Sequence, residues 1–352
     1  MSSAWFATRA PLLDFCSSRR DARCLLLAFL ALLSWGASAQ TMEDRAHLGI
    51  TFARGTAIGR QGTQLDERKQ LDLRLPLPPV FLGRSVLIPS LGYETRWMGL
   101  EQQGPLSHVS EDALGRQFHR FQLGLTLVRP VAPRWMLVMG VTSNTRTDFQ
   151  SDFDFGLDTS WAGFAMATYQ IGGDPDVRLT FGLVGLYPFD VTPVVPMVGF
   201  VYRKGAYIVE AGLPRTSFLL KVGDGLELGL SGMFDQQLFR TRLPDENQTT
   251  GARYVRETAL RFGPTVNTRL GGGSLWLSSS IGLDLLNDYA LLDANRDRVD
   301  LGNDAGTKPA PYLRVSLGWR PPRRPASTQK PLLAPGLAPG PAEPRPGASL
   351  VD

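Results

Sequence analysis

Three histidines, His47, His108 and His119, limit the proton-transfer chemistry open to this 352-residue chain. The sharpest pairing is His119 with Ser143. Alternation along a strand puts His119 on the face of Phe121 to Leu127, and Ser143 on the face of Trp135 to Val141 of the next strand. A short turn at 130–132 would bring them to similar heights. There His119 could act as base and Ser143 as nucleophile, the pair an interfacial lipid hydrolase needs. The plainer reading is a rim histidine beside a loop serine. Paired aspartates with an Asp–His couple, as a barrel protease would need, cannot be assembled from the sequence. The expectation is a protein without catalytic residues.

Oxygen ligands for a metal are the second candidate chemistry. Asp293, Asn295 and Asp297 alternate, with Asp300 and Asp304 beyond, and such oxygens could hold Ca²⁺. Arg298 stands where the sharp-turn glycine of an EF-hand loop belongs, so a solvated acidic loop is expected. Asp148, Asp152, Asp154 and Asp158 are given the same reading. Cys16 and Cys24 are the only cysteines, and both fall in a segment expected to be removed. No metal site and no cofactor is expected.

That segment is residues 1–39. Arg19, Arg20 and Arg23 flank the apolar run Leu25 to Leu33, and Ala37-Ser38-Ala39 is a small-residue cleavage site. It is expected to be a signal peptide, with a mature chain from Gln40. The whole chain carries a formal charge of +4, and removing the leader halves it, which is too little to imply nucleic acid. Residues 321–352 are Pro-, Ala- and Gly-rich and are expected to form a disordered periplasmic tail. A docking role toward cell wall or a periplasmic partner is one use for it, passive extension the other.

Between leader and tail, residues 40–320 break into about fourteen short amphipathic strands, twelve being the alternative count. They fall near 47–54, 67–75, 84–96, 116–129, 133–142, 160–171, 177–186, 194–203, 206–212, 215–222, 225–234, 253–263, 273–285 and 311–320. Period-two alternation is clear in Phe121, Leu123, Leu125 and Leu127 against Arg120, Gln122, Gly124 and Thr126. It is equally clear in Leu313, Val315, Leu317 and Trp319 against Arg314, Ser316 and Arg320. The connectors alternate between long polar stretches (97–115, 143–159, 235–252, 286–310) and tight turns such as Lys204-Gly205 and Gly223-Asp224-Gly225. An outer-membrane barrel has that asymmetry between its two rims, and a soluble sandwich has no reason for it. The expected fold is therefore all-β: a closed antiparallel up-and-down transmembrane barrel in the bacterial outer membrane. Its partners would be outer-membrane lipid and the barrel assembly machinery.

Two stretches resemble a family of bacterial outer-membrane barrels known only as a domain of unknown function. One is Pro193-Val194-Val195-Pro196-Met197-Val198-Gly199-Phe200-Val201-Tyr202-Arg203, followed by Glu210-Ala211-Gly212-Leu213-Pro214. The other is the hairpin from Phe218 to Leu230. The resemblance covers most of 45–320; it implies a barrel and supplies no catalytic residue.

Parity places Asp72, Arg74, Arg120, Gln122, Glu227, Glu257, Arg261, Asp284 and Arg314 on the lumen side. Their mixed signs would set a local field without strong ion preference. Trp97, Trp135, Trp161, Tyr187 and Trp319 lie near strand ends, where aromatics form interfacial girdles. The functional expectation is a non-enzymatic barrel that is a passive channel or a binding barrel for small solutes. The alternatives are a filled barrel that anchors envelope partners and the interfacial hydrolase above. Fourteen strands lie between the filled eight and the water-filled sixteen, so strand number leaves this open.

Overall fold

The computed structural model describes residues 46–58, 63–65, 67–99, 116–149, 153–187, 194–212, 214–240, 253–285, 288–298 and 308–320. The expected leader and tail, His108, Asp152, Asp300 and Asp304 lie outside them.

Among the described residues eighteen strands follow one another: β1 (Ala46–Ala53), β2 (Thr56–Ile58), β3 (Thr63–Leu65), β4 (Arg68–Pro76), β5 (Val80–Leu82), β6 (Ser85–Met98), β7 (Arg116–Ala132), β8 (Trp135–Thr147), β9 (Thr159–Gln170), β10 (Val177–Tyr187), β11 (Val194–Tyr202), β12 (Tyr207–Gly212), β13 (Arg215–Lys221), β14 (Leu226–Arg240), β15 (Tyr254–Leu270), β16 (Leu275–Asp284), β17 (Asp288–Leu292) and β18 (Ala310–Trp319). A single helical turn, α1 (Phe155–Asp158), precedes β9. β2 and β3 pair only with each other, β5 folds back on β6, and β17 continues the pairing of β16 along β15. The other fourteen form a ring. Each pairs antiparallel with its sequence neighbours, and β1 pairs with β18, with Leu48 opposite Leu317. Closure leaves the ring without an edge, which is what a sheet needs in hydrocarbon.

Apolar side chains such as Ile50, Phe52, Leu123, Leu183, Phe262 and Ile281 stand exposed on the outside of this ring. Their in-strand neighbours Thr51, Gln122 and Arg261 are buried inside. In water such an exterior would be a single large apolar patch of a kind soluble monomers avoid. Close strand approach is built in at Gly282, where a Cβ would lie 2.1 Å from the Phe262 carbonyl oxygen.

Two strands run further than their patterning suggests. β14 continues to Arg240 and β15 to Leu270, so 235–240 and 264–270 are paired residues rather than connectors. Pro264, which looks like a breaker, sits exposed opposite Leu230. β8 likewise reaches Thr147. Ladder pairing keeps 235–240 extended although it lacks the apolar alternation that marks the belt, whereas 264–270 keeps that alternation, with Val266 and Leu270 exposed and Thr265 and Asn267 buried.

The ring is not round. Cα atoms of β8 and β14, six strands apart in the ring, come within 8 Å of one another. This pinch separates two lobes. In the lobe closed by β9 to β13, Ala162, Val184, Leu186, Val195 and Met197 point inward and pack with Phe164. The other lobe, from β14 through β18 and β1 to β7, holds charged side chains.

Candidate functional site: a charged lumen layer above a cavity

The charged lobe is built by the inward-facing positions of its strands. Arg68 on β4 donates to Glu257 Oε1 (2.7 Å) and to Asp284 Oδ2 (3.1 Å). Arg96 on β6 donates to Glu257 Oε2 (2.5 Å) and also binds Glu94 and Asp235. β6 and β14 are six strands apart around the ring, so the Arg96–Asp235 bond crosses the lumen. Arg261 Nη1 donates to Gln70 Oε1 (3.2 Å) and its Nε lies 3.6 Å from Asp284. Arg120 pairs with Glu94. Glu257 and Asp284 are almost wholly excluded from solvent, at 2% and 0% exposure. Such pairing is what makes buried charges tolerable, although Asp284 Oδ1, Arg68 Nε and Arg261 Nε are buried without a hydrogen-bond partner.

An apolar contact lies beside the layer. Phe118 on β7 and Phe239 on β14, from strands diametrically opposed in the ring, are buried with ring centroids 4.9 Å apart. The Arg96 guanidinium stands 6.0 Å from the Phe239 ring centre. On the long-loop rim, α1 is capped by Asp154, whose side chain accepts from the Gly156 and Leu157 amides.

Toward the short-turn rim the layer gives way to a cavity of about 180 Å³. Glu94, Arg120, Asp235 and Arg261 form its inner end; His47, Ser316 and Gly318 line it close to the turn-side ends of β1 and β18. On its wall Arg314 makes a two-pronged contact with Asp72 (2.8 and 2.9 Å) and donates to Thr51 (2.8 Å). His47 Nε2 lies 2.5 Å from the same carboxylate. This group needs Gly49: a Cβ there would stand 2.6 Å from Arg314 Nη2 and 2.9 Å from Asp72 Oδ1.

The nine lumen candidates divide as follows. Asp72, Arg74, Arg120, Gln122, Arg261 and Arg314 line the cavity. Glu257 and Asp284 sit in the ion-pair layer. Glu227 stands apart near the turn rim, accepting from Asn267 (2.8 Å) and Arg320 (3.0 Å). Sequence reasoning missed Arg68, Glu94, Arg96, Asp235 and Phe239. Arg96 was legible as the next alternate position after Glu94. Asp235 and Phe239 lie in the part of β14 that reads as a connector.

Trp97, Trp161 and Tyr187 are exposed on the long-loop half, and Trp135 and Trp319 on the short-turn half. His119 and Ser143 do not come together. His119 is opposite Thr147, whereas Ser143 is opposite Leu123, four positions along, or about 13 Å at strand rise. His119 Nδ1 is instead 2.9 Å from the Tyr93 hydroxyl, and its ring packs against Phe149. In the acidic run before β9, Asp154 is exposed as expected of a solvated loop, but two other members are not. Asp148 and Asp158 are buried, and Asp158 accepts from the Asp154 amide (2.8 Å) and lies 3.5 Å from Arg240. In the last loop Asp293 Oδ1 accepts from the Asn295 and Asp297 amides (2.8 and 2.9 Å), turning inward as a backbone cap. Among the described residues no group of three or more acidic, His or Cys side chains is placed to hold a metal ion.

A closed sheet with an apolar outside, a charged inside and aromatics toward both rims is a transmembrane β-barrel, and this chain is one of the bacterial outer membrane. No family model and no curated protein matches it, so the resemblance noted above rests on its own residues. Solved structures similar to it include a Pseudomonas aeruginosa FadL homologue, with 11% identity over 78% of this chain and 90% of that one at a TM-score of 0.40. An outer membrane channel from Pseudomonas putida F1 shares 13% identity over 81% and 98%, with a TM-score of 0.38. The translocator domain of the Neisseria meningitidis autotransporter NalP shares 11% over 85% and 96%, with a TM-score of 0.33. Likeness at this level assigns neither register nor task.

Proposed function

We propose that the protein is a non-enzymatic outer-membrane binding barrel whose lumen is shut on the long-loop side and receives small polar solutes from the short-turn side. The observation that carries this reading is the pair of contacts across the ring, Arg96 to Asp235 and Phe118 to Phe239. In barrels of this kind the short turns face the periplasm, so the cavity would load from there. The filled-barrel anchor shares the same closure and differs only in leaving the cavity unused. Lipid surrounds the belt in either case; the assembly machinery and a tail-bound envelope partner belong to the same reading.

Single-channel recording in planar bilayers tests it. The unaltered protein should be electrically silent, and a Phe118→Ala, Phe239→Ala, Arg96→Ala triple variant should show discrete openings. Steady openings from the unaltered protein would make it a passive channel and overturn the proposal.

A further inference from the structure

We infer that the long-loop half of the wall carries a lateral seat for a small-headed neutral amphiphile of the membrane, with its chain beside β11 and its head in the lumen cavity. The seat lies where the wall is incomplete. β12 and β13 have six and seven residues, fewer than the roughly nine to eleven that a tilted strand needs to cross the apolar band. They are joined through residues 213–214 alone, so the hairpin ends roughly 5–12 Å short of the band's edge at ordinary strand rise and tilt. Its neighbours do not. β11 continues five residues beyond Gly199, the partner of Gly212, and β14 seven beyond Met233, the partner of Arg215. Among the described residues neither stretch has a strand partner on the side of the break.

The break is suited to hydrocarbon. Pro196 stands on the stretch of β11 without a β12 partner and has no N–H to leave unsatisfied there. At the hairpin tip Thr216 Oγ1 donates to the Gly212 carbonyl (3.2 Å) and the Phe234 amide to the Pro214 carbonyl (2.8 Å). The two sides of the break differ in chemistry. β11 is apolar on both faces, with Val194 and Val198 exposed outside and Val195 and Met197 turned in. β14 carries Asp235, Gln236 and Gln237. Alternation puts Phe234 and Gln236 on the face of the exposed Leu228 and Leu230, yet Phe234 is 3% exposed and both line the lumen cavity, as Pro214 and Arg215 of the tip do. The cavity therefore comes up to the break. A chain along β11 with a head toward β14 matches both sides. Arg215 and Asp235 present both signs beside amides, so hydrogen bonds rather than net charge select the head. A volume of about 180 Å³ is below the roughly 300–1,000 Å³ of pockets for drug-sized ligands, so that head has only a few heavy atoms, as glycerol does. This entrance is additional to the short-turn route and stands whether or not the lumen conducts.

Photolabelling of the full chain in phosphatidylcholine vesicles tests it. The probe is a monoacylglycerol with a diazirine beside its head, and mass spectrometry locates the adducts. Expected are adducts on Arg215, Asp235 or Gln236 that excess unlabelled monoacylglycerol reduces ten-fold or more, while adducts on the outward Leu228 and Leu230 are not reduced. A phosphatidylcholine with a diazirine at the same depth should mark outward positions only. Met233→Trp, which narrows the cavity beside the tip, should remove the cavity adducts and keep those on the belt, with heat-modifiable gel migration checking that it is folded. Adducts confined to the belt, cavity adducts that excess monoacylglycerol does not reduce, equal cavity labelling by the phosphatidylcholine, or unchanged cavity adducts in the folded variant would overturn the inference. Should the variant not fold, competition on the unaltered protein decides alone.

Discussion

Glu257 is the residue on which the lumen layer turns. It is buried, and its two oxygens serve two different guanidiniums, Arg68 at 2.7 Å and Arg96 at 2.5 Å. Two unit charges about 4 Å apart at an effective dielectric of about 20 attract by about 4 kcal/mol. Two such partners give about 8 kcal/mol before any offset. Asp235 and Glu94, which share Arg96 with Glu257, repel it and remove a good part of this. Glu257→Gln keeps the shape and one acceptor but leaves buried guanidiniums short of a charge. The expected loss is about 3–5 kcal/mol, as for other buried pairs deprived of one partner. Urea titration of folding into lipid vesicles, followed by tryptophan fluorescence, measures it. In a double-mutant cycle with Arg68→Gln the two losses should fall short of additive by at least about 1 kcal/mol. A loss below about 1 kcal/mol, or strict additivity, would show that the layer is not the coupled network described.

Three further outcomes are expected. Leu123→Arg, at mid-strand on the outside of β7 and 61% exposed, should cost about 2–4 kcal/mol if that face meets lipid; a near-zero cost would mean it meets water. Gly49→Ala pushes a methyl group into the Arg314–Asp72 contact and should lower stability by about 1–3 kcal/mol in the same vesicle assay, with unchanged stability refuting the close approach. At the exposed short-turn pair, a hydrogen bond from Lys204 holds Asp174 below its ordinary carboxylate value, and Asp174 holds the ammonium above its own. The carboxylate contribution is present above its unfolded value and lost as pH falls through the lowered one. The ammonium contribution is present below its unfolded value and lost as pH rises through the raised one. Neither changes between about pH 5 and pH 9, so Lys204→Ala should leave the pH dependence of the unfolding midpoint across that window as it was; an altered slope would contradict the assignment.

The belt was legible because lipid imposes one rule on every strand crossing it. Leu313, Val315 and Leu317 face out, Arg314 and Ser316 face in, and the register with β1 and β16 follows from that parity. Above the belt the rule lapses. From Asp235 to Arg240 polar and apolar residues occupy both faces, and pairing with β15 alone keeps the segment extended. Height was the other thing the pattern could not carry. Parity put His119 and Ser143 on one face correctly, but their separation along the ladder depends on how far β7 and β8 run before turning. Partners across a lumen leave even less trace. Arg96 and Asp235 are 139 positions apart, and alternation says only that both point inward, not that they meet.

That meeting is not what a round fourteen-strand ring would allow. Strands about 4.8 Å apart and tilted about 40° would close a round fourteen-strand barrel roughly 28 Å across between backbones, too wide for opposed side chains to touch. The pinch between β8 and β14 changes the problem. It divides the ring into two lobes, each bounded by about eight strands or fewer, the size at which side chains fill a barrel. One lobe is filled by Val184, Leu186, Val195 and Met197, which need no partner beyond each other. The other receives most of the guanidiniums and carboxylates, whose longer side chains span what remains, and the cavity lies largely on that side. The division of labour follows from composition. Toward the long-loop ends of β9 to β11 the inward positions Ala162, Val184, Leu186, Val195 and Met197 are apolar and shed water on contact, drawing their walls together. Those on β4, β6, β15 and β16 are charged, and they settle at the spacing that satisfies the most ion pairs. The approach of β8 to β14 thus goes with the uneven placement of the apolar inward residues along the chain, and the number of strands alone does not set it.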